Sequence, residues 1–337
     1  MIASIIKSQN NFVPNMSFRV IILSMAVILI AGQFLNFFVP HRLFDVNQLI
    51  LCFMLASQIF VIKKLDKECR RIKESILKSR NLEVSSLFSI KAAAITNSKF
   101  SFFAAVIFVV FYIGTMFVLG SVETTITGIY GALLGALVFY TGIMAYVKYI
   151  SLSYFAYDLK NVDVTNYFFY YPSLTDWIKK LATLFSFIEK WFLVLGVLYT
   201  TLFAINLPPN TINFYDGLIL NSNNDFLLII TWIGILFFFV LAFPALTFFS
   251  HGCIKSKITM LKNITIQEIE KRISSLHDGS ADNLDSIGKY LNLIKAVDET
   301  ANYPLKSVRA IFDGIYSMLM ALAALVSPLL PLIENII

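Results

Sequence analysis

The stretch from Gln48 to Arg80 reads QLILCFMLASQIFVIKKLDKECRRIKESILKSR, and its character changes once, at Lys63. Up to Ile62 it is an apolar run of 15 residues without a charge. From Lys63 onward Leu65, Cys69, Ile72 and Ile76 recur at helical spacing, while lysine and arginine occupy the other faces. The pattern predicts a membrane helix that continues as a basic amphipathic one. At about 1.5 Å per residue the apolar part is shorter than the roughly 30 Å hydrocarbon core, which suits a tilted hairpin partner or a span of a thin membrane.

Outward from this stretch, five segments reach full spanning length: Phe18–Val39, Ser101–Gly120, Thr125–Tyr146, Phe185–Ile205 and Phe226–Phe249. A further run, Val308–Ile333, carries Asp313 near its start and Pro328 and Pro331 near its end, so spanning, dipping back and lining a cavity all remain open for it. With 58% hydrophobic and only 14% charged residues, the chain lies well outside soluble composition, and lipid is its solvent over much of its length. The fold class read here is an all-α polytopic integral membrane protein with six to seven transmembrane helices and a cytoplasmic helical hairpin. Residues 1–17 form a cytoplasmic N-terminus and 18–250 a six-span membrane domain with insertions at 63–100 and 148–184. Residues 251–304 form the hairpin and 305–337 a final hydrophobic helix. The run beginning at Phe18 is too long for a signal peptide and is expected to stay as a membrane helix.

Charge sets the orientation. Lys63–Lys99 holds ten bases against four acids, and Lys255–Arg309 nine against seven. The alternate connections contain Arg42 as their only base. By the positive-inside rule the basic stretches and the N-terminus face the cytoplasm of a bacterial inner membrane.

Three groups of residues bear on function. Lys63, Lys64, Arg70 and Arg71 on the amphipathic helix, with Lys179 and Lys180 further on, supply cations for an anion such as a nucleotide or oligonucleotide, or simply face headgroups. Tyr154, Phe155, Tyr157, Tyr167, Phe168, Phe169, Tyr170 and Tyr171 stand among Lys160, Lys179 and Lys180, as an interfacial aromatic belt or a stacking surface for bases. Thr175 is placed to cap the helix that follows, with Trp177 as its interfacial anchor. Gly128, Gly131, Gly135 and Gly142 share one face of a span, where small residues permit close helix packing. Gln33, Asn36 and Gln58 are expected to hydrogen bond between helices, and Glu189 and Lys190 to reach for the interface. Asp313, with Arg309 one turn before it, and Pro328 and Pro331 are the pore or gate candidates.

In the hairpin, Ile258, Leu261, Ile269, Ile273 and Leu276 recur on one helix, and Leu284, Ile287, Leu291 and Ile294 on the next, across a turn at His277-Asp278-Gly279. Burying these stripes against each other, and the remainder against a neighbouring subunit, makes the hairpin an assembly or gating element. The three histidines, His41, His251 and His277, form no HxxxH or HExxH pattern, the three cysteines no CxxC, and no P-loop, GxGxxG or GxSxG occurs. The sequence therefore points to no metal, no cofactor and no enzymatic chemistry. A secondary transporter or a membrane scaffold stand as alternatives to a channel.

Phe243-Pro244 through His251, the charged hairpin, Tyr303-Pro304-Leu305-Lys306 and a last apolar helix ending Pro328-Leu-Leu-Pro331 resemble the C-terminal third of other bacterial membrane proteins over about 95 residues. The whole layout resembles membrane effectors of bacterial anti-phage systems, in particular the oligomeric channel subunit of Hailong-type defence. That resemblance implies a homo-oligomeric channel, a nucleotide or oligonucleotide ligand that holds it shut or opens it, depolarisation as the output, and an operon-encoded signalling enzyme as partner. No residue role carries over from it.

Overall fold

A computed structural model describes residues 18–36, 46–96, 126–164, 167–168, 170–206, 243–276 and 281–304, with scattered positions between 103 and 114. The spans expected at Ser101–Gly120 and Phe226–Phe249 fall largely outside these residues. The final segment, with Arg309, Asp313, Pro328 and Pro331, falls outside them altogether, as does the turn at His277-Asp278-Gly279.

Among the described residues the long elements are all helices: α1 Phe18–Asn36, α2 Val46–Lys78, α3 Leu82–Thr96, α4 Ile126–Asp158, α5 Asp176–Asn206, α6 Phe243–Ser275 and α7 Ala281–Asp298. Short 3-10 turns at Leu159–Asn161 and Pro172–Leu174 lie on the connection from α4 to α5. Three helical stretches are long and apolar enough to cross a membrane by length and composition: Val46–Lys78, Gly128–Asn161 and Asp176–Tyr199.

The junction at Lys63 is unbroken, as the sequence predicts: neither Gly nor Pro occurs between Val46 and Lys78, so nothing stops helix propagation. The helix ends at Arg80, whose φ of 55° is left-handed, the conformation that commonly terminates a helix. Asn81 then accepts a hydrogen bond from the Val84 N–H at 3.2 Å and caps α3.

At 33 residues each, α2 and α4 are about 50 Å long, well beyond a hydrocarbon core of about 30 Å. They build two layers. In the apolar layer Ile50, Met54 and Leu55 of α2 pack with Leu134 and Val138 of α4 and Leu195 of α5. Outward from it point Leu23, Val27, Ile30 and Phe34 of α1, Phe53 of α2, and Leu133 and Leu137 of α4, all exposed. So large an apolar surface is what lipid covers.

The second layer is a helical bundle with its own core. Of the expected stripe, Leu65, Ile72 and Ile76 are buried there and Cys69 packs against them partly buried; they are joined by Val84 and Phe88 of α3, Tyr149, Leu152 and Phe155 of α4, Leu181 and Phe185 of α5, and Ile254, Ile258 and Leu261 of α6. Trp177 belongs to this core at 1% exposure, so it is no interfacial anchor. Phe155, edge-on to Phe88 at 5.0 Å, is likewise core and not belt. Lys148 of α4, almost fully buried, pairs with Asp66 of α2, and Lys91 of α3 with Asp158 at the end of α4 at 2.7 Å.

The glycine face of α4 is only partly a packing face. A Cβ at Gly142 would lie 3.0 Å from Gln58 Nε2, and Gln58 is hydrogen-bonded to Thr141, so α2 and α4 meet closely there. Gly135 is buried. Gly131 has nothing within 4 Å of such a Cβ and brings no neighbour near. A closer approach is at Gly32 of α1, where a Cβ would meet Gln48 Oε1 and Tyr130 Cε1 at 2.6 Å, beside the Tyr130 hydroxyl that donates to the Ile28 carbonyl. In the hairpin α7 packs back along α6, but Leu284 and Leu291 point outward at 64% and 55% exposure. Among the described residues of α7, Val297 alone is fully buried.

Substitution Gly32→Leu is predicted to lower stability by about 1–3 kcal/mol, the usual cost of overpacking, while Gly131→Leu leaves it unchanged. Thermal unfolding of the detergent-purified variants, read by tryptophan fluorescence, checks the pair.

Candidate functional site

Two constellations stand out, both in the charged layer. The first is a groove of about 440 Å³ between α2 and α5, walled by Glu68, Arg71, Glu74, Ser75 and Lys78 on one side and Asp176 and Lys180 on the other. Positions 68, 71, 75 and 78 are spaced by three and four residues, so one face of α2 presents them together. Arg71 Nη1 lies 2.8 Å from Glu68 Oε1, Lys180 Nζ 2.6 Å from Asp176 Oδ2, and the Ser75 hydroxyl donates to that same Asp176 oxygen. Lys64 shares Glu68 at 3.3 Å and stands 5.8 Å over the Phe187 ring. Of the six bases singled out in the sequence, Arg71 and Lys180 meet in this groove, and Lys63, Lys64, Arg70 and Lys179 lie outside its walls. Lys78 and the acids Glu68, Glu74 and Asp176 are the groove members that sequence reasoning missed. The groove is thus charge-balanced, three bases against three acids. Exposed pairs of this kind are worth about 0–1 kcal/mol, so exchanging a carboxylate for an incoming phosphate costs little.

The second constellation centres on α6. Its buried face, Cys253, Ile254, Lys257, Ile258, Leu261, Lys262, Thr265 and Ile269, includes two lysines at 1% and 3% exposure. Lys257 Nζ donates to the carbonyls of Val162 at 2.5 Å and Lys160 at 3.4 Å, at the 3-10 turn that ends α4. Lys262 Nζ donates to the Thr300 carbonyl at 2.6 Å, Asn302 Oδ1 at 2.7 Å and the Asp298 carbonyl at 3.0 Å, just past the end of α7. Helix C-termini leave carbonyls without intrahelical donors, and each ammonium answers such a set. Burial pushes both ammonium groups below the usual lysine range, against the pull of Asp163 and Glu83 on Lys257 and of Asp298 on Lys262. The Tyr167 hydroxyl meets Thr265 Oγ1 at 2.7 Å, so the aromatic connection also docks on α6. Thr175 holds this connection by accepting the Phe168 N–H at 3.1 Å, and its carbonyl accepts the Lys179 N–H at 2.9 Å at the start of α5.

At the boundary of the two layers His251 hydrogen bonds through Nε2 to Glu189 and through Nδ1 to the Tyr303 hydroxyl. Glu189 therefore does not reach for the interface; it turns inward, its side chain 17% exposed. Among the described residues, Tyr154 and Tyr157 near the end of α4 and Phe168, Tyr170 and Tyr171 on the connection are exposed. Lys160 lies 5.9 Å over the Tyr157 ring. Among the described residues no group of three His, Cys, Asp or Glu side chains comes together to hold a metal ion.

No family model matches the chain, and neither the curated proteins nor the solved structures give a match.

Replacing Lys262 by Met leaves three oxygens without their donor and is predicted to destabilise the protein by about 2–4 kcal/mol. The exposed Lys271→Met stays within about 0.5 kcal/mol of the parent. Chemical denaturation of both variants in detergent measures the difference.

Proposed function

We propose that the chain is the subunit of a homo-oligomeric channel in a bacterial inner membrane, opened or closed by a cytoplasmic nucleotide or oligonucleotide as part of anti-phage defence. In this reading six or seven spans cross the membrane, the charged layer lies in the cytoplasm, and depolarisation is the output. The final segment, with Asp313, Pro328 and Pro331, lines or gates the pore. The observation that carries the reading is the groove of Arg71, Lys78 and Lys180, because its walls are the continuations of α2 and α5, two of the helices that build the apolar layer. A phosphate that takes Arg71 from Glu68 and Lys180 from Asp176 acts directly on the membrane helices. Because Asp176 also accepts the Ser75 hydroxyl, the exchange loosens the bridge between α2 and α5. The excess of bases over acids in Lys63–Lys99 supports the cytoplasmic placement. Polyanions gain affinity from such cations through counterion release, so the response is expected to weaken as salt rises.

The test is ion flux from proteoliposomes holding the full-length protein, with ATP and a set of short DNA and RNA oligonucleotides as probes. The expected result is flux that one class of probe switches on or off, with a midpoint raised at least tenfold by combined Arg71→Glu and Lys180→Glu substitutions. A correctly inserted protein that is monomeric and passes no ions under any probe overturns the proposal.

A further inference from the structure

Helix α6 turns two lysines inward and uncharged polar residues outward. Lys257 and Lys262 are held by backbone carbonyls and the Asn302 amide oxygen, and the acids that act on them, Asp163, Glu83 and Asp298, do so without an ion-pair contact. From Phe249 to Gln267 the helix contains no acid at all. Along the same stretch its outer side forms a groove of about 580 Å³, with Gly252, Lys255, Ser256, Asn263 and Gln267 in its lining. Steps of three, four and seven residues put Phe249, Gly252, Ser256, Asn263 and Gln267 in one row. The row is about 27 Å long at 1.5 Å per residue. Among the described residues the Ser256 hydroxyl, the Asn263 and Gln267 amides and the Lys255 ammonium take part in no hydrogen bond or ion pair. At the head of the row the exposed Phe249 ring stacks on Tyr157, with centroids 5.4 Å apart and planes at 23°, and Lys160 stands over Tyr157. One turn further on, a Cβ at Gly252 would meet nothing within 4 Å, so the space beyond the ring is open. Ser250 donates to Ser153 at 2.8 Å, Lys257 reaches Val162 and Thr265 meets Tyr167, so α6 runs alongside α4 and past its end, and the row belongs to the charged layer.

We propose that this face of α6 binds a single-stranded oligonucleotide, with a base on the stacked Tyr157 and Phe249 rings, phosphates at Lys160 and Lys255, and base edges at Asn263 and Gln267. The inference rests on the reading of the ligand as a nucleotide or oligonucleotide and narrows it to a strand several nucleotides long, because a mononucleotide covers only one end of the row. An aromatic ring stacks on any base, and a side-chain amide both donates to and accepts from base edges. The positive charge of Lys160, Lys255, Lys257 and Lys262, with no acid between Phe249 and Gln267, draws a polyanion to this side of the helix. A second copy of the chain fits the row less well, since the core of a protein interface is apolar and depleted in charge. Phe249 and Met260 are the large apolar residues exposed along it. Further along α6, Glu268, Glu270, Lys271 and Arg272 restore the mixed charge of an ordinary solvated helix.

Fluorescence anisotropy on the full-length protein in nanodiscs of zwitterionic lipid tests the site, with labelled single-stranded DNA and RNA of mixed sequence and about 12 nucleotides as probes and ATP as competitor. One kind of strand is expected to bind at least tenfold more tightly than ATP. Gly252→Leu, which fills the open space beyond Phe249, and the paired Asn263→Ala and Gln267→Ala substitutions are each expected to weaken the strand about tenfold or more. Gly288→Leu, at an equally open glycine of α7, is expected to leave the affinity unchanged. Lys255→Gln is expected to lower the slope of log affinity against log salt by about 0.7. ATP binding as tightly as the strands overturns the proposal, as does parent-like strand affinity in both the Gly252→Leu and the paired variant. A Gly252→Leu protein whose subunit number changes also overturns it, because the face is then a contact between copies. Strand binding that survives these substitutions but is lost with Arg71→Glu and Lys180→Glu overturns this site and leaves the proposed function standing. Strand binding that Gly252→Leu abolishes, in a protein whose ion flux answers no probe, leaves this site standing and overturns the function.

Discussion

The length of α2 is the constraint from which the rest follows. A helix of 33 residues is about 50 Å long, and its charged C-terminal half has no place in a hydrocarbon core of about 30 Å. That half still carries a stripe of Leu65, Ile72 and Ile76, which costs free energy unless another surface covers it. The covering surfaces are the equally prolonged α4 and α5, together with α3 and α6, and the outcome is a second core stacked on the first. Since α2, α4 and α5 run through both, the two cores share one set of helices.

Helix α6 closes the second layer by an unusual choice of buried groups. Two lysines stand where aliphatic residues would be expected, and each is compensated by the carbonyl end of a neighbouring element. Removing such an ammonium costs more than its pair is worth against an apolar substitute, because it strands the oxygens it served. The arrangement fixes where the connection after α4 and the stretch after α7 attach. With His251 added, the stretch that follows α7 is held at two places, by Lys262 and by the hydrogen bond between Tyr303 and His251.

The periodic features were legible in the sequence because periodicity reports what a helix does along its own axis. Leu65, Ile72 and Ile76 are buried as their spacing predicts, and the uninterrupted run to Lys78 is helical throughout. Features that depend on where two helices cross were not legible. Gly32 looks no different from Gly131 in sequence, yet one sits at a 2.6 Å crossing and the other faces open space. Lys257 and Lys262 read as ordinary solvated charges, since nothing local marks the carbonyls that bury them. His251, Glu189 and Tyr303 are 62 and 52 positions apart and meet only through the packing of α5, α6 and the stretch after α7. Leu284 and Leu291 fit the helical spacing of the second stripe but face outward. Of the groove, Arg71 and Lys180 were visible as bases; their acids were visible only as residues, not as partners.

The central claim, one set of helices shared by a lipid-bathed layer and a water-bathed layer, is tested most directly by spin labels in nanodiscs. Labels at Phe53, Leu133 and Leu137 are predicted to collide with oxygen and to be shielded from a water-soluble nickel complex. Labels at Arg70, Lys179 and Leu284 are predicted to show the reverse. Lipid-like collision profiles at Arg70 and Lys179, or water-like profiles at Leu133 and Leu137, would contradict the two-layer account.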